Sequence, residues 1–502
     1  MTESAHRVIV VGAGNAALCA AISARESGAE VLVLERADRA HRGGNTAFTA
    51  GAIRVAYSGV EELRRLMPDL TDDEVAITDF GSYPETQFLE DLARVTEYRT
   101  DPDLAETLVK NSYDTLQWMQ SHGVRLLPIY GRQAFKVNGR FRFWGGLTVE
   151  SVGGGVGLVD SLVREAERMG IQIEYGARAI SLIADVTGVH GVMVRQAGAD
   201  REERASAVVL ACGGFQANTE WRTKYLGPNW ELAKVRGTMF NTGDGIRMAL
   251  AAGASPQGNW SGCHAVAWDR NAPEFGDLAV GDGFQKHSYP FGIMVNAEGR
   301  RFVDEGADFR NYTYAKYGRR ILEQTGQFAW QIFDQKVAHL LRDEYRIRQV
   351  TRVTASTLEE LAQKLDGVDA QALLAEIRRY NAAVDTGTPF NPNVKDGRGT
   401  SGLEVNKTNW ANRIDEGPFE AYAVTCGVTF TFGGLRIGVD AQVIDTDQRP
   451  IPGLYAAGEV VGGIFYFNYP GGSGLMNGAV YGRIAGRSAA KEHRGTDPAT
   501  SN

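Results

Sequence analysis

The chain has 502 residues, 43% of them hydrophobic and 23% charged, with 60 glycines against 15 prolines. That length implies two or more domains, and the composition excludes a disordered, collagenous or coiled-coil protein. A net charge of −8 without a long basic stripe argues against a nucleic-acid partner, and no apolar run reaches the ~18 residues of a membrane span.

The polar start, Met1 to Arg7, shows no secretory pattern and leads into Arg7 to Val11, a continuous apolar run as a buried parallel strand requires. Gly12-Ala13-Gly14-Asn15-Ala16-Ala17 follows, then a predicted helix from Ala16 to Ser27 ended by Gly28. A second strand, Val31 to Leu34, is closed by Glu35. Strand, GxGxxA turn, helix, strand and acid in this order predict a Rossmann-like dinucleotide site. Gly12 permits the tight turn, Gly14 the approach of a pyrophosphate, and Ala17 close packing of helix on strand. The helix start offers amide donors and a positive dipole end, and Glu35 can accept from both ribose hydroxyls.

Further along, residues 55–125 read as a mostly helical insertion, with an amphipathic helix from Asp103 to His122 capped by Asp103 or Asp101. Another helix is expected from Asp160 to Gly170, then alternating strands from Ile171 to Ala211. Leu358 to Leu365 and Ala370 to Val384 read as surface helices, and the tail from Lys491 as polar and frayed.

Five ordered pieces carry a family resemblance. Arg42-Gly43-Gly44-Asn45-Thr46 with Thr49-Ala50-Gly51, then Ala211-Cys212-Gly213-Gly214-Phe215, Asn241-Thr242-Gly243-Asp244-Gly245, Pro452 to Glu459 (PGLYAAGE) and Asn468 to Leu475 (NYPGGSGL) span nearly the whole chain. In these the sequence resembles the fumarate reductase/succinate dehydrogenase flavoprotein superfamily. The resemblance implies an α/β fold with an α+β cap. An FAD-binding domain, split into residues 1–255 and 426–502, would enclose a capping domain at 256–425. It implies FAD, placed on Gly12, Gly14, Asn15, Ala16, Glu35 and Arg36. The flavin loop would add Arg42, Gly44, Asn45, Thr46, Ala50 and Gly51. Ala179, Ala211, Gly213, Asn241, Thr242 and Asp244 follow, then Gly458, Glu459, Ser473, Gly474 and Leu475. Amides at the glycine-rich start of the C-terminal helix would face the flavin pyrimidine and favour the reduced, negatively charged ring. Members with covalent flavin use a histidine in the loop after the ribose acid. Asn45 stands near that place and no histidine follows His41 there, so noncovalent FAD is expected.

One stretch departs from the average charge. Thr115 to Val149 holds no Asp or Glu, but His122, Arg125, Arg132, Lys136, Arg140 and Arg142, interleaved with Tyr130, Phe135, Phe141, Phe143 and Trp144. It reads either as the wall of an anion site, since arginine binds carboxylates bidentately, or as a basic surface hairpin turning at Lys136 to Arg140. Arg132 and Arg142, with Tyr130, are the substrate-binding candidates from this stretch. In the cap the resemblance adds His264 for substrate binding and Arg310 for proton transfer. A free guanidinium is a poor base, so Tyr312, Tyr314 or His287 would relay the proton; His287 and Tyr312 are the further catalytic candidates.

Two family positions differ. Phe430 stands where fumarate reductases keep the histidine of HTMGG, and Tyr469 where they carry a carboxylate-binding arginine. Tyr469 before Pro-Gly resembles the ketosteroid dehydrogenases, which use a tyrosine there to polarise a ketone. Several longer stretches, among them Tyr130 to Glu150, His287 to Asn296 and Asp308 to Gly318, resemble the tricarballylate dehydrogenases of the superfamily. Those stretches imply dehydrogenation of a polycarboxylate by hydride transfer to flavin N5. Cys19, Cys212, Cys263 and Cys426 lie far apart without a CxxC, so no disulfide framework, metal site or cysteine-ligated cluster is expected and a reducing cytoplasm fits. With no haem or cluster motif in the chain, the resemblance implies a separate electron acceptor at the membrane.

Overall fold

The computed structural model describes residues 6–492; all but the first two residues of the expected polar tail lie outside them. The first unit forms as its pattern predicts: β1 (Arg7–Val11), α1 (Asn15–Glu26) and β2 (Glu30–Leu34). β1 is apolar on both faces because both are covered; Val8, Ile9 and Val10 are fully buried. It lies inside a six-stranded sheet in the order Gln442–Ile444, Pro450–Ala456, Ala207–Leu210, β1, β2, Gln172–Glu174. All pairs are parallel except the first. Gly12, Ala211 and Ala457 follow three of these strands directly, so the carboxyl ends open onto one crevice.

The C-terminal helix Ser473–Ala490 crosses α1 at backbone distance. A Cβ on Gly482 would sit 2.3 Å from the Ala16 carbonyl oxygen, and one on Gly486 2.1 Å from that of Ala20. This glycine stripe brings both helix N-termini to the same crevice, where Asn15 Nδ2 donates to the Leu475 carbonyl at 2.8 Å.

Two expected helices differ. The stretch 103–122 breaks at Asn111 into Pro102–Lys110 and Ser112–Ser121. The Asn111 amide donates back to the Thr107 carbonyl and so competes with the helical ladder. The cap is Asp101, which accepts from the Asp103 and Leu104 amides. The helix expected at 160–170 starts at Gly154 and ends at Arg168. Its glycine-rich first turn carries no propensity signal; it forms because the loop 44–51 lies across it, and a Cβ on Gly155 would meet the Thr46 carbonyl at 1.9 Å.

The middle of the chain is organised by two long antiparallel strands, Pro256–Asp269 and Phe419–Leu435. Phe328–Phe333 and Arg352–Ala355 also pair with the second, and Ile293–Val295 lies beyond Phe328–Phe333. Helices Leu358–Lys364 and Ala370–Ala383 cover this sheet through a core of its own containing Trp330, Leu361, Leu373 and Ile377. Position 426, the expected domain boundary, falls inside the strand Phe419–Leu435.

Candidate active site

One elongated cavity runs from the carboxyl ends of the parallel strands to the underside of the long antiparallel pair. Its first half is built largely from backbone. Gly12 has φ +111°, and a Cβ there would lie 2.5 Å from the Ala211 carbonyl oxygen, so the β1–α1 turn closes only without a side chain. Glu35 accepts from the Ala13 amide at 2.8 Å and the Ala37 amide at 2.7 Å, which aims its carboxylate into the cavity. Burial raises its pKa, and those amides pull it back. Arg36 is held by Thr242 Oγ1 and Asp244, and Arg178 pairs with both oxygens of Asp244 at 2.9 Å. Gly14, Asn15, Ala16, Gly44, Thr46 and Ala50 line the near wall. Ala179, Ala211, Gly213, Asn241, Gly458 and Glu459 line the far wall. The donors at two helix starts, the acid of Glu35 at the end of β2 and the side-chain-free turn fit a dinucleotide along this half. Asn45 also lines it, and its amide bridges the Thr238 amide and the Thr429 carbonyl.

The second half is built from side chains. His264 lies on Pro256–Asp269 opposite Phe430 of Phe419–Leu435, just after an irregularity in register between Asn259 and Cys263 that turns the strand toward the cavity. Its ring packs against Tyr314, Phe430 and Tyr469 at centroid distances of 4.8, 5.2 and 4.7 Å. Neither ring nitrogen has a hydrogen-bond partner among the described residues. Burial, then Arg236, holds its pKa well below the usual imidazole value. His287 is likewise neutral, through burial and then Arg310. Arg310 Nη1 donates to His287 Nδ1 at 3.1 Å, which leaves the ring proton on Nε2, and Nη2 donates to the Arg132 carbonyl at 2.7 Å. Burial lowers the pKa of Arg310 itself. The Tyr314 and Tyr469 hydroxyls share a hydrogen bond, and both phenols are pushed above the usual range, chiefly by burial. Gly474 and Leu475 bring the start of the C-terminal helix to the same place.

The structure therefore brings Arg132, His264, His287, Arg310 and Tyr469 to one end of the cavity. It does not bring Arg142, Tyr130 or Tyr312 there. Arg142 lies in the hairpin Ala134–Val137 and Arg140–Phe143, whose period of two turns Phe141 and Phe143 inward and both arginines to solvent. Its side chain is 56% exposed, beside Asp79. Tyr130 bonds Thr78 and packs on the same two phenylalanines. Of the other cations in that acid-free stretch, Arg125 pairs with Asp69 and Arg140 donates to the Ala76 carbonyl. His122 bridges Glu26 and Glu165. Tyr312 donates to Asp91 at 2.6 Å and lies in a buried network with Tyr83 and Arg54. Arg54 is fully buried and also donates to the Gly471 and Gly145 carbonyls at 2.8 and 2.7 Å.

Among the residues assigned to the cofactor, Arg42, Gly51, Thr242 and Ser473 stand one layer back from the cavity. Arg42 latches onto Asp160, and Thr242 orients Arg36. Ser473 Oγ donates to the Pro470 carbonyl, and Gly51 permits close crossing over Ser151.

Arg236, Asp282 and Gln285 line the same end of the cavity, and no sequence pattern points to them. Arg236 follows the two-residue strand Lys234–Val235, and Asp282 sits between two glycines, which reads as an ordinary turn. Nothing local to either marks it.

Residues 7–475 match the family described as FAD binding domain. The chain is 32% identical over 491 residues to a fumarate reductase (cytochrome) of Shewanella frigidimarina, covering 96% of this chain and 77% of that one. It superposes on the open conformation of a flavocytochrome c3 fumarate reductase with a TM-score of 0.71 and 27% identity, over 98% of this chain and 79% of the other. The 3-ketosteroid-Δ4-(5α)-dehydrogenase of Rhodococcus jostii RHA1, in complex with 4-androstene-3,17-dione, aligns with a TM-score of 0.70 and 25% identity, over 98% of both chains. The matched span includes both halves of the cavity, and the chain belongs to the FAD binding domain family, within the fumarate reductase/succinate dehydrogenase flavoprotein superfamily, as an FAD-dependent oxidoreductase acting on CH–CH groups.

Proposed function

We propose that the chain dehydrogenates a polycarboxylate, and that tricarballylate, oxidised to cis-aconitate, is the substrate that fits best. The observation that carries this reading is the charge at the reaction end. Arg132, Arg236 and Arg310 converge there with Asp282 between two of them, and both neighbouring imidazoles are neutral. Guanidinium groups suit carboxylates, and a neutral imidazole can donate to a further carboxylate without adding charge. With Phe430 and Tyr469 in place of the family's histidine and arginine, the carboxylate anchors in this reading are Arg132 and Arg236.

FAD, which the Gly12 to Ala16 turn, Glu35 and the start of the C-terminal helix would hold, would supply the two-electron acceptor for the hydride. Arg132 and Arg236 hold carboxylates and so orient the CH–CH bond. Arg310 takes the neighbouring α-proton. Its Nη1 can first pass a proton to His287 Nδ1, 3.1 Å away, leaving a neutral guanidine to receive the substrate proton. Burial lowers the Arg310 pKa and so favours its neutral form, whereas the low pKa of His287 means that it holds the proton only in transit. In the loop after Glu35, Asn45 lines the cavity and no histidine follows His41, and noncovalent FAD belongs to the same reading. The same reading includes an inserted capping domain at 256–425, reoxidation by a separate membrane-bound electron acceptor, and a cytoplasmic location. Among the described residues no helix is long and apolar enough to cross a membrane.

The test is anaerobic mixing of the FAD-loaded enzyme with tricarballylate, citrate, succinate and a 3-ketosteroid, followed at the flavin absorbance band. Tricarballylate is expected to bleach it fastest. Bleaching by succinate alone would favour a fumarate reductase or succinate dehydrogenase-like enzyme, and bleaching by no polycarboxylate would end the reading. The Tyr314–Tyr469 hydroxyl pair, beside Phe430 and Phe465, favours one second reading: a ketosteroid-type dehydrogenase in which the tyrosines polarise a ketone. Bleaching by the 3-ketosteroid would establish it.

A further inference from the structure

Asp282 carries two arginines at once. One oxygen accepts from Arg132 at 3.0 Å; the other accepts from Arg236 Nε at 2.8 Å and Nη2 at 2.6 Å. Gln285 Nε2 donates to the same oxygen as Arg132. The residue is 7% exposed. Its position is fixed from below by Lys286, which is fully buried and donates to the Gly283, Phe284 and Gln285 carbonyls at 3.0, 3.2 and 3.2 Å. That clamp holds the turn between Asp282 and His287. A carboxylate thus stands permanently at the end of the cavity where Arg132, Arg236 and Arg310 meet. Among the groups that line this end, three guanidinium groups face one carboxylate, an excess of two positive charges; behind them the buried Glu344 and the half-buried Arg342 carry opposite signs, and the imidazoles of His264 and His287 add none.

We infer that Asp282 is a specificity-determining residue, an internal counter-ion that sets the net charge of the substrate site and with it the number of carboxylates the bound acid can present to cations. This rests on the polycarboxylate reading. In the native site two carboxylates of the substrate face arginine, and a third meets the uncharged donor of His264 or His287. Neutralising Asp282 adds one positive charge that every carboxylate of the ligand feels. A trianion then gains one increment more than a dianion, and a dianion one more than a monoanion. At an effective dielectric near 20, across a few ångströms and with solvent screening, each increment corresponds to about tenfold in affinity. A merely structural role would weaken all ligands alike and produce no such ladder.

The test uses the FAD-loaded enzyme and calorimetric titration with tricarballylate, succinate and acetate in Asp282→Asn, Asp282→Glu and the parent. Asp282→Asn is expected to raise the tricarballylate-to-succinate affinity ratio about tenfold, and Asp282→Glu, which keeps the charge, to leave it unchanged. A ratio in Asp282→Asn within about twofold of the parent would overturn the inference, as would equal losses for all three acids in both variants. Should Asp282→Asn fail to hold FAD, Asp282→Ser repeats the neutral arm. If the parent binds no polycarboxylate, the proposed substrate class falls, and sulfate against chloride then decides on Asp282. A rise in the sulfate-to-chloride ratio on neutralisation supports its role, and no rise overturns it.

Discussion

The two halves of one cavity are built differently. The cofactor half is made of turns at strand ends, each encoded within a few consecutive residues and each exposing backbone rather than side chains. The reaction half collects Arg132, Arg236, His264, Asp282, His287, Arg310, Tyr314 and Tyr469 from segments up to 337 positions apart. Backbone shape tolerates few substitutions and is written locally. Side-chain chemistry depends on which strands and loops meet, and no short pattern encodes that.

Disabling each half separately sharpens the contrast. Gly12→Val should have the largest effect, because its Cβ would overlap the Ala211 carbonyl; the purified protein is expected to carry no FAD, read as lost flavin absorbance. Arg310→Ala should leave FAD content intact and lower kcat on the order of 10³-fold, within the range for loss of a proton-transfer group. Wild-type-like turnover in that variant would remove Arg310 from the chemistry. Between these lies Arg54→Met, which strips the buried hydroxyls of Tyr83 and Tyr312 and the Gly471 carbonyl of their shared donor. A loss of about 3 kcal/mol in stability is expected. Measured by denaturant titration, it should come with a lower kcat and retained FAD, because this network positions the segment carrying Tyr469 and the turn carrying Arg310.

A smaller effect tests the cofactor half by pH. Burial pushes the Glu459 pKa up from 4.5 to about 7. Its folded state therefore holds a proton that the unfolded state has released between those values, and stability falls as pH rises through that window. The cost is absent below pH 4.5 and complete above 7. Glu459→Gln should flatten that part of the melting-temperature profile of the FAD-free protein; an unchanged slope would remove Glu459 as its source. The smallest effect is expected at Arg142→Ala, which should change kcat/KM by about twofold at most because the side chain is an exposed, loosely paired cation. A larger loss would bring the basic hairpin back to the substrate.

The acid-free stretch shows how far composition can mislead. Its cation excess is real, but Arg140-Phe141-Arg142-Phe143 alternates with the period of a half-buried strand. That alternation already places both arginines on the face opposite the phenylalanines. Arg132 differs because it sits in the short helical turn Tyr130–Gln133 before the hairpin, with Gln133 buried beneath it. Tyr312 and its neighbours Arg310 and Tyr314 show the same sensitivity in a tight turn: two side chains reach the cavity, and the one between them turns to Asp91.

The amino-acid sequence by itself determined the β1–α1–β2 unit, its glycine turn and the acid that closes β2, and the order of the glycine-rich pieces. Each depends on consecutive residues whose spacing alone sets backbone geometry. Only the tertiary structure decided that Arg236 and Asp282 join Arg132 at the reaction end and that Arg142 does not. It also decided that Arg54 ties four distant segments together. A side chain's charge becomes a site only when separate segments are packed against one another, and that packing is settled by the burial of the whole molecule rather than by any neighbouring residue.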